Sequence, residues 1–314
     1  MATVAPSPVD APSALRRLLD GDMWWSFRRN PMVVASAAVT ALFIVCAIFA
    51  PWIAPHDPFD LKTISILDNN NPPAWLEEGE WRFPLGTDDQ GRDVLSTILY
   101  GSRISLLVGF SAVLFSMTLG VVLGLVAGYV GGITESVIMR AADVKLSFPP
   151  ILVALLVDGV ARAALKRELH DAIALYVVIF AIGFSVWPQY ARTVRGSTLV
   201  ERNKEYVQAA RVIGLHPGLI MLRHVLPNVT GPVLVIATLG LGNAIIAEAT
   251  LSYLGVGLPA TQPSLGTLIR IGNDFLFSGE WWITIFPGAA LAILVLAVNL
   301  LGDWLRDALN PKLR

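Results

Sequence analysis

The sequence predicts an all-α integral membrane protein with six transmembrane helices. Of its 314 residues, 54% are hydrophobic and only 15% are charged, a composition outside the range of soluble globular domains. The apolar residues are gathered in long stretches that contain almost no charge, and about 20 such residues cross the ~30 Å hydrocarbon core as a helix. The loops between these stretches alternate between acidic and basic, as expected when successive loops lie on opposite sides of a membrane.

Six stretches have the length and polarity of transmembrane helices. The first begins too far into the chain, and runs too long, for a cleaved signal peptide. The third carries charges in its first half, and Pro149-Pro150 is expected to bend it near the start of its membrane-embedded part. The predicted spans are Pro31–Pro55, Ile104–Thr134, Ile133–Val157, Ala172–Ala191, Leu226–Ala247 and Trp281–Gly302.

Glycines in the second span repeat every four residues, at Gly120, Gly124 and Gly128. This spacing puts them on one face of a helix, where the absence of side chains lets another backbone approach closely. We therefore predict that another helix packs along this face, and that Gly131-Gly132 ends the span.

The charges of the loops predict the orientation of the chain. Loop 56–103 contains nine acidic and four basic residues, whereas residues 192–223 contain six basic and two acidic ones. Because basic loops stay in the cytoplasm, loop 56–103 is predicted to be external, and loop 192–226 and both termini to be cytoplasmic. Residues 1–30 form a predicted cytoplasmic tail with an interfacial helix, Ala14–Asn30, and residues 31–314 form the transmembrane domain.

Two further segments are less regular. The connector Val160–Asp171 has balanced charges and a helix-prone composition, which suits an external loop. Segment 249–280 is broken by glycine and proline and is mostly uncharged. We expect it to re-enter the membrane or to lie along its outer face.

Several classes of function are excluded by what the sequence does not contain. The single cysteine, Cys46, and four histidines without ligand spacing argue against a metal site. A formal net charge of −1 argues against a nucleic-acid partner. We find no catalytic residue cluster, so an enzyme is not expected. No phosphate-binding glycine loop is present, so the chain is not expected to bind ATP or another cofactor itself.

Segment Glu205–Pro217 is polar and lies between two apolar runs. Its composition predicts a short helix that ends at Gly214, and Pro217 prevents the helix from continuing. A helix of two or three turns is not stable alone in water, so it must pack against something. A docking element for a partner and an ordinary cytoplasmic loop helix both remain open at this point.

Several motifs resemble the permease subunits of ATP-binding-cassette (ABC) importers. Gln208-Ala-Ala-Arg-Val-Ile-Gly214, followed by Leu226-Pro227, is similar to their coupling-helix motif, with glutamine in place of the usual glutamate. Other matching segments resemble the second permease of the dipeptide/oligopeptide/nickel family. They are Gly86–Ser96, Tyr100–Ser105, Arg140–Pro149, Trp187–Arg192, Arg223–Asn228, Glu248–Gly257 and Asn299–Pro311. Leu265, Trp304 and the charged Val160–Asp171 connector depart from that pattern.

This resemblance implies the fold of a type I ABC importer permease in the bacterial inner membrane. It implies a second, homologous permease as heterodimer partner, two ATPase subunits that bind the ATP, and a periplasmic or lipid-anchored binding protein that delivers peptides. Lipid would surround the spans. The residues implied to form the ATPase interface are Glu205, Tyr206, Gln208, Ala209, Ala210, Arg211, Gly214, Leu215 and Pro217. We expect Ala209 and Ala210 to form a flat docking surface.

Glu248 is the one carboxylate at the end of an otherwise uncharged span. An ionisable residue in this position is a candidate for the translocation pathway. A structural role, with the carboxyl group hydrogen-bonded to a neighbouring span or to the backbone, is the favoured alternative. A stand-alone secondary transporter or channel that uses Glu248 or Asp143 as an ion relay is the alternative from another class. Within the importers, nickel chelates, glutathione and oligosaccharides are alternative substrates.

Overall fold

The computed structural model describes residues 22–60, 64–259 and 261–309. Within these ranges the regular structure is helical, and the only β pairing is an isolated bridge between Thr87 and Asp93. The first 13 residues, the beginning of the predicted interfacial helix and the last five residues lie outside the described residues.

The helices, numbered in chain order, have the following bounds. They are α1 Asp22–Arg29, α2 Pro31–Ile48, α3 Ala50–Ile53, α4 Val94–Val130, α5 Gly132–Leu146, α6 Pro150–Ala164, α7 Arg167–Glu201, α8 Glu205–Val212, α9 Pro217–Ile220, α10 Leu226–Tyr253, α11 Leu265–Asn273 and α12 Trp282–Leu309. A 3₁₀ turn spans Ile66–Asp68, and a π-helical turn at Met221–Val225 joins α9 to α10.

Five helical segments of the described chain are long and apolar enough to cross a membrane: α2, α4, α7, α9 with α10, and α12. The third predicted span, Ile133–Val157, is not one helix. It consists of α5 and α6, which meet at an angle of 93°; counted together as one broken span, they bring the number of possible crossings to six. The break has a local cause, because Pro149 and Pro150 supply no backbone N–H and cannot continue the preceding helix.

Helix α7 extends ten residues beyond the predicted end of the fourth span at Ala191 and continues to Glu201. The basic residues at its end therefore lie on a helix and not in a loop. Two of them form ion pairs with α5, Arg192 with Asp143 and Arg195 with Glu135. Because these pairs offset the charges, the helix continues past the apolar stretch on which the prediction was based.

The predicted glycine face on α4 is confirmed. A Cβ atom on Gly120 or Gly124 would collide with the backbone of α7, and one on Gly128 would lie 2.7 Å from Thr198 Cβ. Helix α4 ends at Gly131 as predicted, where the backbone has a φ of +73°. The two longest helices are thus in direct backbone contact.

Both ends of the described chain lie at the same end of the helix bundle as α8. Trp304 near the end of α12 packs edge-on against Phe27 of α1. Helices α10 and α12 run antiparallel, since Gly242 approaches Asn299 and Gly302 approaches Thr238. The end of α12 is therefore next to the start of α10, which follows α8 in the chain.

At the opposite end of the bundle, α11 fills the space between α4, α10 and α12. Leu265 and Leu268 are buried in a cluster that includes Val94, Ile245 and Trp282. The side chain of Ser264 caps the helix by accepting a hydrogen bond from the N–H of Thr267 at 3.2 Å. The irregular segment 249–280 thus forms a packed part of the bundle.

Candidate functional site

Helix α8 is a separate short element between the two long helices α7 and α10. It ends at Val212 with Ile213 as its C-cap, and Gly214 follows with a φ of +82°, a left-handed conformation that favours glycine. No atom of the described chain lies within 4 Å of a Cβ built at Gly214. A side chain at this position would thus strain the backbone without striking another part of the protein.

One face of α8 is buried against the bundle. Val207 and Ala210 belong to a core cluster with Leu125 of α4, Val194 of α7 and Val229 of α10, and Leu215 packs beside them. Ala210 is therefore inaccessible, which corrects the expectation that both alanines form a docking surface. The remaining predicted interface residues are exposed: Glu205, Tyr206, Gln208, Ala209, Arg211, Gly214 and Pro217.

Hydrogen bonds connect the beginning of α8 to α7, which precedes it, and to α10, which follows it. The Tyr206 hydroxyl donates to Glu201 Oε2 at 2.5 Å and accepts a hydrogen bond from Asn228 Nδ2 at 3.1 Å. Partial burial and the Glu201 carboxylate together raise the pKa of Tyr206 to about 12, so the hydroxyl keeps its proton at neutral pH. Gln208 Nε2 donates to the carbonyl of Asn203 at 3.0 Å.

The last turn of α8 contacts the end of α4. The guanidinium of Arg211 lies over the ring of Tyr129, 4.9 Å from its centroid. Nearby, Arg202 Nη1 donates to the carbonyl of Gly128 at 2.8 Å. Helix α8 is thus in contact with α4, α7 and α10.

Two exposed apolar residues on this segment were missed from the sequence. Val212 is 88% exposed and Ile213 is 76% exposed. The helical spacing of Val207 and Ala210 was the signal that could have identified Val212, which falls on a different face. Ile213 lies at the C-cap, after the helix has ended, so helical spacing gives no signal for its exposure. Neighbouring exposed apolar side chains on a polar element favour contact with another protein.

Glu248 lies within a closed hydrogen-bond network and is fully buried (0% exposed). Ser105 Oγ of α4 donates to Glu248 Oε2 at 2.8 Å, and Ser252 Oγ donates to Oε1 at 2.7 Å. Ser105 Oγ also accepts a hydrogen bond from the N–H of Leu265, the first residue of α11, at 3.3 Å. Of the two roles considered for Glu248, the geometry supports the structural one, since the group connects α4, α10 and α11.

A central cavity of about 430 Å³ lies between α4, α6, α7 and α10. Its polar lining residues are Ser116, Gln189, Tyr190 and Asn243, and the rest of the lining is apolar. Glu248 does not line it. Sequence reasoning did not select these residues because each is a single uncharged polar side chain within an apolar run.

Asp158 and His170 form a second buried polar group, near the turn between α6 and α7. Asp158 Oδ2 accepts a hydrogen bond from Arg162 Nε at 2.6 Å, and Asp158 Oδ1 lies 3.3 Å from His170 Nε2. Among the described residues, no group of three or more histidine, cysteine, aspartate or glutamate side chains is arranged to hold a metal ion.

The fold has a counterpart among solved structures. Two crystal forms of the inward-facing MetNI methionine ABC transporter contain a chain that matches with a TM-score of 0.52 and 20% identity. The match covers 68–69% of this chain and 96–97% of that one. This likeness shows a shared fold: that of a type I ABC importer permease.

Closer relatives match over nearly the whole chain. The di/tripeptide transport system permease protein DppC of Pseudomonas aeruginosa (strain UCBPP-PA14) is 37% identical over 98% of this chain and 97% of its own length. The dipeptide transport system permease protein DppC of Escherichia coli (strain K12) is 41% identical over 93% of each. The oligopeptide transport system permease protein OppC of Bacillus subtilis (strain 168) is 35% identical over 93% of this chain and 90% of its own.

Two family descriptions match successive parts of the sequence. Residues 21–73 match the N-terminal transmembrane domain of oligopeptide transport permease C. Residues 120–314 match the binding-protein-dependent transport system inner membrane component, and this segment contains α8 and three of the four helices around the central cavity. With its helical architecture and full-length relatives, the chain belongs to the family of binding-protein-dependent transport system inner membrane components.

Proposed function

We propose that this chain is a permease subunit of an ABC importer that carries di- or oligopeptides across the bacterial inner membrane. The observation that carries the proposal is the 37–41% identity, over more than nine-tenths of the chain, to permeases named for dipeptide or di/tripeptide transport. The same relatives favour peptides over nickel chelates, glutathione and oligosaccharides. Family membership argues against the stand-alone transporter or channel.

In this proposal the chain forms part of the translocation pathway for the peptide, and two partner ATPase subunits hydrolyse the ATP. A substrate-binding protein delivers the peptide, and a second, homologous permease forms the other half of the pathway. Exposed apolar side chains along α5 are available for lipid or that second permease; they include Ile133, Val137 and Val144.

We assign α8 as the contact with an ATPase subunit. Its exposed face carries Arg211, Val212 and Ile213, and its buried face is fixed to the bundle through Val207 and Ala210. ATP-driven movement of the ATPases would shift α8 and, through its attachments, the long helices beside the central cavity. Access to the cavity would then alternate between the two sides of the membrane.

Single glutamate substitutions test this assignment. We expect Val212→Glu to reduce co-purification of the ATPase subunits at least five-fold, because a charge would have to be buried in an apolar contact. Leu67→Glu is the matched control, since Leu67 is 92% exposed at the opposite end of the bundle. It should retain the ATPases. Equal retention by both variants would contradict the role of α8.

Uptake by the reconstituted complex tests the transport function itself. Proteoliposomes containing this chain, the second permease, both ATPases and the binding protein should accumulate a labelled dipeptide when ATP is supplied. Omitting the ATPases should abolish uptake. Uptake that continues without them would support the stand-alone alternative, and accumulation of a nickel chelate or sugar without peptide would replace the proposed substrate.

A further inference from the structure

We propose that the central cavity is a binding subsite for the peptide backbone, formed by the uncharged side chains of Ser116, Gln189, Tyr190 and Asn243. This inference rests on the proposed function and adds the chemistry by which the permease itself holds its substrate. The subsite would bind peptide N–H and C=O groups, which every peptide offers whatever its side chains.

The position of the cavity is the first argument. Ser116 lies well inside α4, Gln189 inside α7 and Asn243 inside α10, so the three polar residues come from three different long helices. A volume of about 430 Å³ falls within the range of small-molecule sites, which is roughly 300–1,000 Å³. Helices that move against one another would change the shape of a site built in this way.

The exposure of the two amide side chains is the second argument. Gln189 and Asn243 are both exposed in the isolated subunit, and neither side chain makes a hydrogen bond within the described part of the chain. In contact with lipid, each amide would leave donors and acceptors without partners, at a cost of several kcal/mol per group. The open side of the cavity should therefore face water, the substrate or the second permease, and not lipid.

The inner wall supplies the third argument. Ser116 is almost fully buried, and its Oγ has no hydrogen-bond partner among the described residues. Tyr190 is also buried, and a Cβ on Gly240 would lie only 2.8 Å from its hydroxyl oxygen. A glycine at that position leaves room for the hydroxyl at the cavity wall.

The kind of ligand follows from the lining. Each amide side chain can donate and accept, as can each hydroxyl. A peptide bond presents one donor and one acceptor, so the two sets are complementary. No charged residue lines the cavity, and Glu248 is held in its own network. Recognition here would thus be independent of the charges on the substrate's side chains, which leaves selection among peptides to the binding protein.

The test measures transport by the complete reconstituted importer. We expect Gln189→Leu and Asn243→Leu each to reduce dipeptide uptake per ATP hydrolysed roughly three- to ten-fold, as expected for the loss of one or two neutral hydrogen bonds. Tyr190→Phe should reduce it as well. Tyr176→Phe is the matched control, because Tyr176 is on the same helix, is 69% exposed and does not line the cavity.

A chemical change in the substrate provides a second measurement. A dipeptide methylated on its peptide nitrogen lacks the N–H, and wild-type protein should transport it less well than the parent peptide. In the Asn243→Leu variant, the uptake of the methylated dipeptide and that of the parent dipeptide should differ less than they do in the wild type. If the leucine variants assemble poorly, Ser116→Ala removes a single oxygen atom and should reduce uptake at an unchanged melting temperature.

The possible outcomes distinguish a failure of the proposed transport function from a failure of the proposed backbone subsite. Wild-type complex that takes up no peptide would overturn the proposed function. Wild-type uptake with normal transport by the Gln189, Asn243, Tyr190 and Ser116 variants would overturn the backbone subsite and leave the proposed function standing. An equal loss of uptake in Tyr176→Phe would also overturn it, because the effect would not be specific to the cavity.

Discussion

Glu248 illustrates how a buried carboxyl group can serve structure in this protein. Its two oxygens accept hydrogen bonds from Ser105 and Ser252, and Ser105 Oγ in turn lies 3.3 Å from the N–H of Leu265. The residues come from α4, α10 and α11, three elements far apart in the sequence. A buried network whose members are all satisfied stabilises one arrangement of such elements.

Replacing Glu248 should therefore destabilise the fold. We expect Glu248→Ala to lower the free energy of unfolding by about 2–4 kcal/mol, because it leaves buried hydroxyl groups without acceptors and opens a cavity. Glu248→Gln should cost less, since it keeps one acceptor. Thermal unfolding of the purified protein measures the effect, with Glu168→Ala at an exposed position as control. A Glu248→Ala protein as stable as wild type would contradict this role.

Asp93 caps α4, and burial raises the pKa of its carboxyl group above the ordinary value of 3.8. Its Oδ2 accepts hydrogen bonds from the N–H and the hydroxyl of Ser96. Because the folded protein holds this proton more tightly than the unfolded chain does, the contribution of Asp93 to stability is largest at low pH. It is lost as the pH rises through the raised pKa.

Comparison of the wild-type protein with Asp93→Asn tests the direction of this pH dependence of stability. Asparagine keeps the capping oxygen but does not ionise. The melting temperature of Asp93→Asn relative to wild type should therefore rise between about pH 4 and pH 7. A difference that stays constant, or falls, over this range would show that ionised Asp93 is not penalised in the folded state.

Among the elements, α4 and α7 form the closest pair. Their contact depends on Gly120, Gly124 and Gly128, where no side chain separates the backbones. Without a hydrophobic driving force between helices in lipid, such close packing is a main source of association. Helix α8 differs from this pair because it is short and is held by Val207, Ala210 and the Tyr206 contacts.

A matched pair of leucine substitutions tests the packing of α4 on α7. A Cβ on Gly128 would lie 2.7 Å from Thr198 Cβ, whereas Gly196 has no atom within 4 Å of its Cβ position. We expect Gly128→Leu to cost roughly 1–3 kcal/mol or more by overpacking, and Gly196→Leu to have little effect. Thermal unfolding in detergent compares the two. Similar melting temperatures would mean that the contact does not require glycine.

At the scale of the whole molecule, both ends of the described chain and α8 occupy one end of the bundle. The charge distribution of the loops predicts that this end is cytoplasmic. The acidic segment 56–103 lies before α4 and at its start, at the far end. Each side of the membrane would accordingly have its own partner: the binding protein outside and the ATPases inside.

Labelling of single cysteines in intact cells tests the orientation. In a Cys46→Ala background, Leu67→Cys should react with a membrane-impermeant maleimide, because Leu67 is exposed in the acidic loop. In cells that produce this chain without the ATPase subunits, so that α8 is uncovered, Val212→Cys should react only after the membrane is permeabilised. Labelling of Val212→Cys in intact cells would contradict the proposed topology and place α8 outside the cell.

The sequence by itself determined the class of fold, the approximate spans, the glycine face of α4 and the cap at Gly214. These features depend on local composition, on helical periodicity and on the conformational freedom of glycine, which can be read along the chain. The family resemblance also rested on local motifs, such as the Gln208–Gly214 segment, and relatives of similar length confirm the family.

Only the tertiary structure decided how distant side chains are brought together. It placed Glu248 against Ser105, buried Ala210 while exposing Val212 and Ile213, and gathered Ser116, Gln189 and Asn243 around one cavity. It also divided Ile133–Val157 into two helices and extended α7 to Glu201. The physical reason is that burial and hydrogen bonding depend on which helices are neighbours, and a hydropathy pattern contains no information about pairing between segments.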